Sequence, residues 1–251
     1  MIRMIMHGCN GAMGQVIAGI VEQDPEIVIA AGVDLNTEAK NGFPVYRTLD
    51  EVKEEADVIV DFASAKAVDG LLDFCGRRHM PVVLCTTGLS REQLDKAAET
   101  AGKTAVLRSA NMSLGVNVLL KLVAEAAKVL AASGFDMEIV EKHHNQKMDA
   151  PSGTALALAD AVNEAMGNRY HYVCDRSQVR AKREQTEIGI SSVRGGSIVG
   201  DHDVIFAGRD EVVTLSHTAY SKAIFAKGAV AAAKFLAGKE AGMYDMSDVI
   251  G

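Results

Sequence analysis

Two adjacent histidines, His143 and His144, and a lysine, Lys147, precede a Pro-Ser-Gly-Thr sequence in the middle of the chain. Residues 135–140 alternate as in a β-strand, and residues 155–166 show the helical spacing of apolar side chains. The three side chains are therefore predicted to lie in a loop between a strand and a helix N-terminus. Free backbone N–H groups and a partial positive charge at that end of a helix suit a carboxylate or phosphate. Proton-transfer groups beside an anion site indicate an enzyme that acts on an acidic small molecule.

A glycine-rich loop near the N-terminus indicates a nucleotide site. Gly8, Gly11 and Gly14 follow an apolar run and precede a helical segment, with the spacing G-x-x-G-x-x-G. This is a variant of the dinucleotide-binding fingerprint, whose glycines permit a tight turn and a close approach of the backbone to a pyrophosphate. Asp34 ends the next apolar strand, where a carboxylate can accept hydrogen bonds from an adenosine ribose. The loop by itself would also fit an ordinary strand-to-helix turn.

The first part of the chain alternates strand-like and helix-like segments, which predicts a parallel sheet covered on both faces. We therefore predict an α/β fold with a Rossmann-like dinucleotide-binding domain over residues 1–112, completed by the C-terminal segment 221–251. An acidic helix is predicted over residues 49–56. Ser90 and Gln93 form a capping-box pattern that predicts the start of another helix.

Residues 113–220 are predicted to form a second, α+β domain, which also carries the histidines and the lysine. Three segments rich in β-branched residues, 186–193, 197–207 and 211–218, indicate strands. The last two are joined by Gly-Arg-Asp, which is typical of a hairpin turn. The second domain is therefore predicted to contain a mostly antiparallel sheet.

Several candidate binding residues follow the predicted strands of the first domain directly. They are Gly8, Asp34, Phe62, Thr86 and Asn111. In open parallel sheets, ligands bind beyond the carboxyl ends of the strands. We therefore expect these residues to converge on one cleft, with the loop of histidines and lysine reaching in from the second domain.

The composition argues against several functional classes. A formal charge of −7 over 251 residues argues against nucleic acid as the main partner, because phosphate binding needs a basic face. No apolar run is long enough to span a bilayer and no signal peptide precedes the first strand, so we expect no membrane partner. The four cysteines lack metal-binding spacing, and no further ligand completes a metal site around the histidine pair. Isolated thiols fit a cytoplasmic protein.

Several motifs together resemble one enzyme family. They are the glycine loop, Cys-Thr-Thr-Gly from Cys85, Ala-Asn-Met-Ser from Ala110, His-His-x-x-Lys-x-Asp-Ala-Pro-Ser-Gly-Thr-Ala from His143, and Asp245-Met246. Over essentially its whole length the chain resembles 4-hydroxy-tetrahydrodipicolinate reductase, also called dihydrodipicolinate reductase. The resemblance implies reduction of 4-hydroxy-tetrahydrodipicolinate, a cyclic dicarboxylate, to tetrahydrodipicolinate by NADH or NADPH, in lysine and diaminopimelate biosynthesis. It also implies a homotetramer whose second domain supplies the subunit contacts and the substrate site.

The resemblance also assigns roles to individual residues. His143 and Lys147 would be the acid/base pair, and His144, Gly153 and Thr154 would hold the substrate. The residues around the nicotinamide cofactor would be Gly8, Cys9, Asn10, Gly11, Ala12, Met13, Asp34, Cys85, Thr86, Thr87, Ser109, Ala110, Asn111 and Met112. Hydride delivery to the ring pushes negative charge toward its imine nitrogen, so a proton must be supplied nearby. We expect Lys147 to be the direct donor and His143 its partner.

The choice between NADH and NADPH depends on the residues near Asp34. Its carboxylate should accept hydrogen bonds from the ribose hydroxyls and repel a 2′-phosphate. Leu35 follows it where NADPH-preferring relatives often carry arginine, so no guanidinium compensates the negative charge there. The prediction is that NADH is preferred or that both cofactors are used, with Lys40 as a possible partial compensation.

Two other functions fit parts of the sequence. One is a related two-domain dehydrogenase that acts on an amino acid, and the other is a non-catalytic sensor of nicotinamide nucleotides. The His-His-x-x-Lys motif before Pro-Ser-Gly-Thr argues against both, because it points to the dipicolinate ring and because a sensor needs no acid/base groups. The histidines outside this motif and the glycine loop, His202 among them, are expected to make only local contacts.

Overall fold

A computed structural model describes all 251 residues and divides the chain into two compact units. The first unit comprises Met1–Ser113 together with Ala223–Gly251, and the second comprises Leu114–Lys222. These limits differ by one or two residues from those predicted. None of the helices has both the length and the apolar character required to cross a membrane.

The first unit is built on a seven-stranded parallel sheet, numbered here in chain order over the whole protein. Its strands are β1 (Ile2–His7), β2 (Ile27–Val33), β3 (Val45–Tyr46), β4 (Val58–Asp61), β5 (Val82–Leu84), β6 (Ala105–Leu107) and β12 (Gly242–Tyr244). They lie in the order β12-β6-β5-β4-β1-β2-β3, and every neighbouring pair is parallel. The helices of this unit are α1 (Ala12–Val21), α2 (Ala65–Arg78), α3 (Arg91–Ala101), α6 (Ala223–Leu236) and α7 (Met246–Ile250). The predicted α/β fold with a Rossmann-like parallel sheet is confirmed.

Both faces of this sheet are buried, which explains why its strands have continuous apolar sequences. In β1, Met4 and Met6 pack in the core that contains α1 and α6, whereas Ile5 packs in the opposite core with α2 and α3. The successive side chains of a strand point to opposite faces, so one strand contributes to both cores.

Two details of the first unit bear on the local predictions. The capping box of Ser90 and Gln93 is present at the start of α3, as predicted. The predicted acidic helix over residues 49–56 is wrong, because only a 3₁₀ turn over Leu49–Glu51 forms. Val52 already has extended backbone angles, φ −64° and ψ 126°, and these end the turn.

The second unit contains a five-stranded sheet and two helices. Its strands are β7 (Asp136–His143), β8 (His171–Val173), β9 (Glu187–Arg194), β10 (Gly200–Ala207) and β11 (Val212–Ala219), in the order β11-β10-β7-β9-β8. The helices α4 (Leu114–Leu130) and α5 (Gly153–Ala165) contribute to a core with one face of this sheet. Most residues on the other face are half-buried or exposed.

The second sheet is mixed, so the prediction of a mostly antiparallel sheet is wrong. The predicted hairpin at Gly208 is present and makes β10 antiparallel to β11, and β10 is also antiparallel to β7. However, β7 and β8 both run parallel to β9. Between β7 and β9 the chain passes through α5, and a crossover of this kind returns the chain in the same direction. Local turn sequences identified the hairpin but gave no information on this long connection.

We predict that Gly228→Ala destabilises the first unit. A Cβ built on Gly228 of α6 would lie 1.6 Å from the carbonyl oxygen of Met112, so the backbone would have to move. The free energy of unfolding should fall by at least about 2 kcal/mol, which corresponds to a Tm lower by roughly 5 °C. Thermal unfolding followed by circular dichroism measures this change.

Gly70→Ala is the matched control, because Gly70 lies in α2 with nothing within 4 Å of its built Cβ. This substitution should leave Tm unchanged or raise it, since alanine favours a helix by about 1 kcal/mol over glycine. Equal Tm values for the two variants would contradict the assigned packing of α6.

Candidate functional site

The first unit has a crevice where the strand order reverses. The chain passes from β1 to β2 on one side and later to β4 on the other, so β1 lies between them. A cavity of about 570 Å³ opens at the carboxyl ends of these three strands. It is lined by His7, Gly8, Gly11, Val33, Asp34, Leu35, Arg47, Phe62, Ala63, Ser64, Lys66 and Ala67. A reversal point of this kind is where open parallel sheets bind nucleotides.

The glycine loop fits a dinucleotide at this crevice. Gly8 has φ +82°, and a Cβ on it would lie 2.7 Å from the carbonyl oxygen of Phe62, so only glycine fits. Gly11 is the N-cap of α1 and provides no side-chain hydrogen bond to the helix. The first-turn amides of Ala12 and Met13 therefore have no capping side chain, as an anion-binding helix N-terminus requires.

Asp34 lies in the cavity but is already hydrogen-bonded by backbone groups. Its carboxylate accepts from the N–H groups of Asn10 and Asn36, each at 3.0 Å. The Asn10 side chain in turn donates to the carbonyl oxygens of Asn36 and Glu38. These bonds fix the loop after β2 to the glycine loop and keep the carboxylate at the end of its strand.

Arg47 also lines this cavity, so a guanidinium is present in the same crevice as Asp34. Arg47 is 13 residues beyond Asp34 in the sequence, so the residues next to Asp34 gave no sign of it. Arg47 lies after β3, the strand that pairs with β2, and its side chain is exposed. Lys40, considered as a partial compensation, lines a different cavity beside α1 and β2.

The remaining predicted cofactor residues differ in what they present. The side chain of Cys9 is fully buried in the core, so only its backbone can contact a ligand. Met112 is likewise buried in the core. Thr86 follows β5, and its Oγ1 is buried without a hydrogen-bond partner in the chain. The Asn111 side chain accepts a hydrogen bond from the Ser113 N–H.

Four more of these residues lie in the loops after β5 and β6. Burial, with the nearby carboxylate of Asp61, raises the pKa of Cys85 well above its ordinary value, so this thiol stays protonated. Thr87 and Ala110 are exposed, and Ser109 is half-buried.

Sequence reasoning missed a buried pair beneath the cavity. Nδ1 of His7, at the end of β1, lies 2.7 Å from Oδ1 of Asp61, at the end of β4. Asp61 is fully buried and also accepts from the N–H of Ala63. An acidic residue directly after the apolar run Val58–Val60 was the available signal.

The second unit places its candidate residues at one end of a buried sheet face. Strand β7 continues to His143, so this histidine lies on the strand. The prediction that it lies in the following loop is wrong. Met137, Ile139, Glu141 and His143 alternate on the buried face of β7. The face is therefore apolar at its beginning and polar at its end.

Glu141 is fully buried and is bonded on both carboxylate oxygens. It accepts from two Arg194 nitrogens, both at 2.7 Å, from the Ser152 N–H at 3.1 Å and from Nδ1 of His143 at 2.6 Å. Burial alone would raise the pKa of Glu141, but hydrogen bonds from Arg194, Ser192, His143 and Ser152 outweigh it and lower this pKa to about 2. The carboxylate is therefore ionised under all ordinary conditions.

His202 lies opposite Glu141 in the β7–β10 pairing and is 4% exposed. Its Nε2 lies 3.1 Å from Oγ of Ser152, which caps α5 by accepting from the Ala155 N–H. Burial and the neighbouring His143 lower the pKa of His202 to about 4. The prediction that His202 makes only local contacts is wrong, because Ser152 is 50 residues away in sequence.

Lys147 and the start of α5 act on the same carboxylate. Nζ of Lys147 lies 2.8 Å from Oδ1 of Asp149, and the Gly153 backbone also hydrogen-bonds this side chain. The hydrogen bond from Lys147 is the main reason that the pKa of Asp149 is lowered. Thr154 follows in the first turn of α5, and His144 is half-buried beside the end of β7. An ammonium and a helix N-terminus therefore converge on one carboxylate of the chain itself.

Comparison with protein families matches both parts of the chain. A family model described as "Dihydrodipicolinate reductase, N-terminus" matches residues 2–112, and one described as "Dihydrodipicolinate reductase, C-terminus" matches residues 115–250. Together they cover nearly the whole chain.

Curated relatives match over the full length. A protein of Caldanaerobacter subterraneus subsp. tengcongensis named 4-hydroxy-tetrahydrodipicolinate reductase is 54% identical over 250 residues, covering 100% of this chain and 98% of the relative. A protein of Caulobacter vibrioides with the same name is 41% identical, covering 100% of this chain and 97% of the relative.

Solved structures share the fold. A dipicolinate-bound dihydrodipicolinate reductase from Paenisporosarcina sp. TG-14 superposes with a TM-score of 0.83 at 26% identity, covering 100% of both chains. A probable dehydrogenase from Thermotoga maritima has a TM-score of 0.62 at 12% identity, covering 99% of this chain and 92% of that one. At so low an identity the second likeness shows the fold alone.

We predict that the second unit loses stability as the pH falls from 6.5 to about 4.5. The pKa of His202 is lower in the folded chain than in the unfolded chain, so the unfolded state binds more protons in this window. Its contribution is fully present above pH 6.5 and decreases as the pH falls. His202→Gln should weaken the dependence of Tm on pH by the equivalent of about 2 kcal/mol.

Calorimetry of the two proteins between pH 7 and 4.5 measures this difference. The lower limit of pH 4.5 keeps the contribution of Glu141 to stability nearly constant, because that contribution is lost mainly below the ordinary pKa of a glutamate. His79→Gln, which changes an exposed histidine of the first unit, is the control. A slope in His202→Gln as steep as that of the unmodified chain would show that this imidazole is not the group concerned.

Proposed function

The chain belongs to the dihydrodipicolinate reductase family, and we propose that it reduces 4-hydroxy-tetrahydrodipicolinate to tetrahydrodipicolinate with NADH or NADPH. This reaction is a step in lysine and diaminopimelate biosynthesis. The relatives that carry the name of this activity match the chain from end to end, so both units needed for it are present. The chemistry of the residues in each unit supports the same reaction.

The observation that carries this proposal is the shared carboxylate of Lys147 and Gly153. The Asp149 side chain receives a charged hydrogen bond from the lysine and a backbone hydrogen bond from the helix start. A carboxylate of the substrate offers the same oxygen atoms and can take the place of Asp149. Thr154, in the same first turn, and His144, directly after β7, complete the groups that hold the dicarboxylate.

Lys147 is the direct proton donor in this mechanism, and His143 is its partner. The side chain of Lys147 is about one-fifth exposed and lies on the loop, whereas His143 is 8% exposed and bonded to Glu141. An ammonium on a flexible stem can both pair with a carboxylate and deliver its proton to a ring nitrogen. A bound cofactor would supply the hydride, and the 4-hydroxyl group of the substrate leaves as water, so that one hydride and one proton are consumed for each water released.

The residues of the first unit fit the nicotinamide dinucleotide. Gly8 and Gly11 leave space for the backbone to approach the pyrophosphate, and the start of α1 presents its amides to it. Asp34 would hold the adenosine ribose at the end of β2. The buried Oγ1 of Thr86, in the loop after β5, has no partner in the chain and would be able to hydrogen-bond the nicotinamide part of the cofactor.

We also propose that the chain forms the homotetramer implied by the family likeness and works in the cytoplasm. The second sheet supports the first point, because its face away from α4 and α5 is only half-buried and carries exposed residues such as Val193 and Val212. A sheet face that no other element of its own chain covers is suited to subunit contacts. The four cysteines are all free thiols, as a reducing compartment would keep them.

We predict that Lys147→Ala and His143→Ala each lower kcat by about 100-fold or more, since each removes a group from proton transfer. The binding constant for NADH should stay within about twofold, because both residues lie in the second unit and the nucleotide residues in the first. A coupled assay, with substrate generated from pyruvate and aspartate semialdehyde, measures kcat. Fluorescence titration with NADH measures cofactor binding.

An unmodified chain that binds NADH but does not turn over this substrate would contradict the proposed function and favour a nucleotide sensor. If the unmodified chain is active and both variants retain full kcat, the reaction stands and the assigned roles are wrong.

We predict that Arg47→Ala raises KM for NADPH by about tenfold and leaves KM for NADH within twofold. Arg47 lines the cavity that contains Asp34, and a guanidinium there can pair with the additional phosphate of NADPH. Lys40→Ala is the matched control, because this cation lies close in sequence but lines another cavity. Steady-state kinetics with both cofactors gives the ratio, and equal effects of Arg47→Ala on the two KM values would contradict this role.

A further inference from the structure

The proposed reaction leaves one buried ionised group without a role. Glu141 has no exposed surface, yet it carries a full negative charge in the core of the second unit. Burying such a charge is costly unless it is paired and hydrogen-bonded. Both of its oxygens are used, and one of their partners is the catalytic candidate His143.

The bonds to Glu141 join three segments of the candidate site. His143 lies on the same strand, Arg194 ends the parallel strand β9, and Ser152 caps α5. Arg194 also donates to the carbonyl oxygen of Asp149, whose side chain pairs with Lys147. One carboxylate and its arginine are therefore connected to both proton-transfer residues.

The contacts of His143 fix the orientation of its ring. An ionised carboxylate can only accept a hydrogen bond, so Nδ1 of His143 must carry the proton that points at Glu141. The ring of His202 lies edge-on to it, with 5.1 Å between centroids and 74° between planes. Nε2 lies on the other side, where a Cβ on Gly200 would be 3.1 Å away. These contacts leave Nε2 as the nitrogen that can exchange a proton.

We propose that Glu141 is a positioning residue of the reaction, which holds His143 with Nδ1 protonated and Nε2 directed to the proton-transfer path. The proposal rests on the reductase function, because it concerns the partner of Lys147 in that reaction. Its effect on the ring nitrogens exists without turnover and can be measured separately. A carboxylate that orients a histidine in this way acts through the histidine and does not touch the substrate.

Glu141→Gln tests the proposal, because the amide keeps the shape of the side chain and removes the charge. We expect kcat to fall on the order of 100-fold, with KM for NADH within twofold of the unmodified value. In a His143→Ala background the same substitution should change kcat by less than about threefold, since its effect passes through the imidazole. A structural role would instead reduce kcat by the same factor in both backgrounds, and that result would overturn the proposal.

Glu138→Gln is the matched control. Glu138 lies on the same strand and is also bonded to an arginine, Arg183, but it is on the opposite face of β7. This variant should keep kcat within twofold. A fall in kcat as large as that of Glu141→Gln would show that loss of any paired carboxylate on the strand is sufficient.

The second measurement records the ring nitrogens directly. In protein labelled with ¹⁵N histidine, the His143 signals are assigned by their loss in His143→Ala. We expect a protonated Nδ1 in the unmodified chain and a shift of the population toward Nε2–H in Glu141→Gln. A ring already protonated at Nε2 alone in the unmodified chain would overturn the proposal, even if the reductase activity is present.

Should Glu141→Gln fail to fold by circular dichroism, Glu141→Asp keeps the charge and shortens the side chain by one carbon. The longer distance should weaken the bond to Nδ1 and lower kcat at least tenfold. Unchanged kcat and unchanged ring signals in that variant would count against the proposal. Inactivity of the unmodified chain on the substrate would contradict the reductase function alone, because the ring signals remain measurable.

Discussion

The second unit is organised around one constraint, which is that a carboxylate with no access to water must be fully hydrogen-bonded. Glu141 meets this requirement with groups from its own strand, from β9 and from the start of α5. The parallel pairing of β7 and β9 places Arg194 beside His143 and so brings the guanidinium within reach. The strand direction, the helix start and the position of the catalytic candidate therefore depend on each other.

The same buried face holds one of the two proposed acid/base groups in a fixed position. Along β7 the core side chains change from Met137 and Ile139 to Glu141 and His143, and along β10 they change from Phe206 and Val204 to His202. The apolar end supplies the packing that stabilises the sheet, and the polar end is held in place by it. His143 is thus fixed on a strand, whereas Lys147 lies on the adjoining loop and is paired with Asp149 of the same loop.

Local patterns in the sequence predicted most elements of the first unit, because turn glycines and capping residues act over a few positions. Gly8 and the Ser90–Gln93 box are examples. Features that depend on distant segments were not predictable in this way. The mixed second sheet depends on the crossover through α5, and the presence of Arg47 in the same cavity as Asp34 depends on the pairing of β2 with the short strand β3. The alternation that places His143 on the buried face of β7 was visible in the sequence. Because the last residues of this strand are polar, they were assigned to the following loop.

The first unit is discontinuous in sequence, and this has a consequence for how the protein is made. Helix α6 and strand β12 belong to the core and the sheet of the first unit, yet they are synthesised only after the whole second unit. The N-terminal part of the first unit therefore leaves the ribosome with one side of its core uncovered. The second unit, by contrast, is continuous in sequence and emerges complete. At ordinary rates of translation that exposed surface persists for several seconds. During this interval the chain is open to aggregation and to binding by a chaperone.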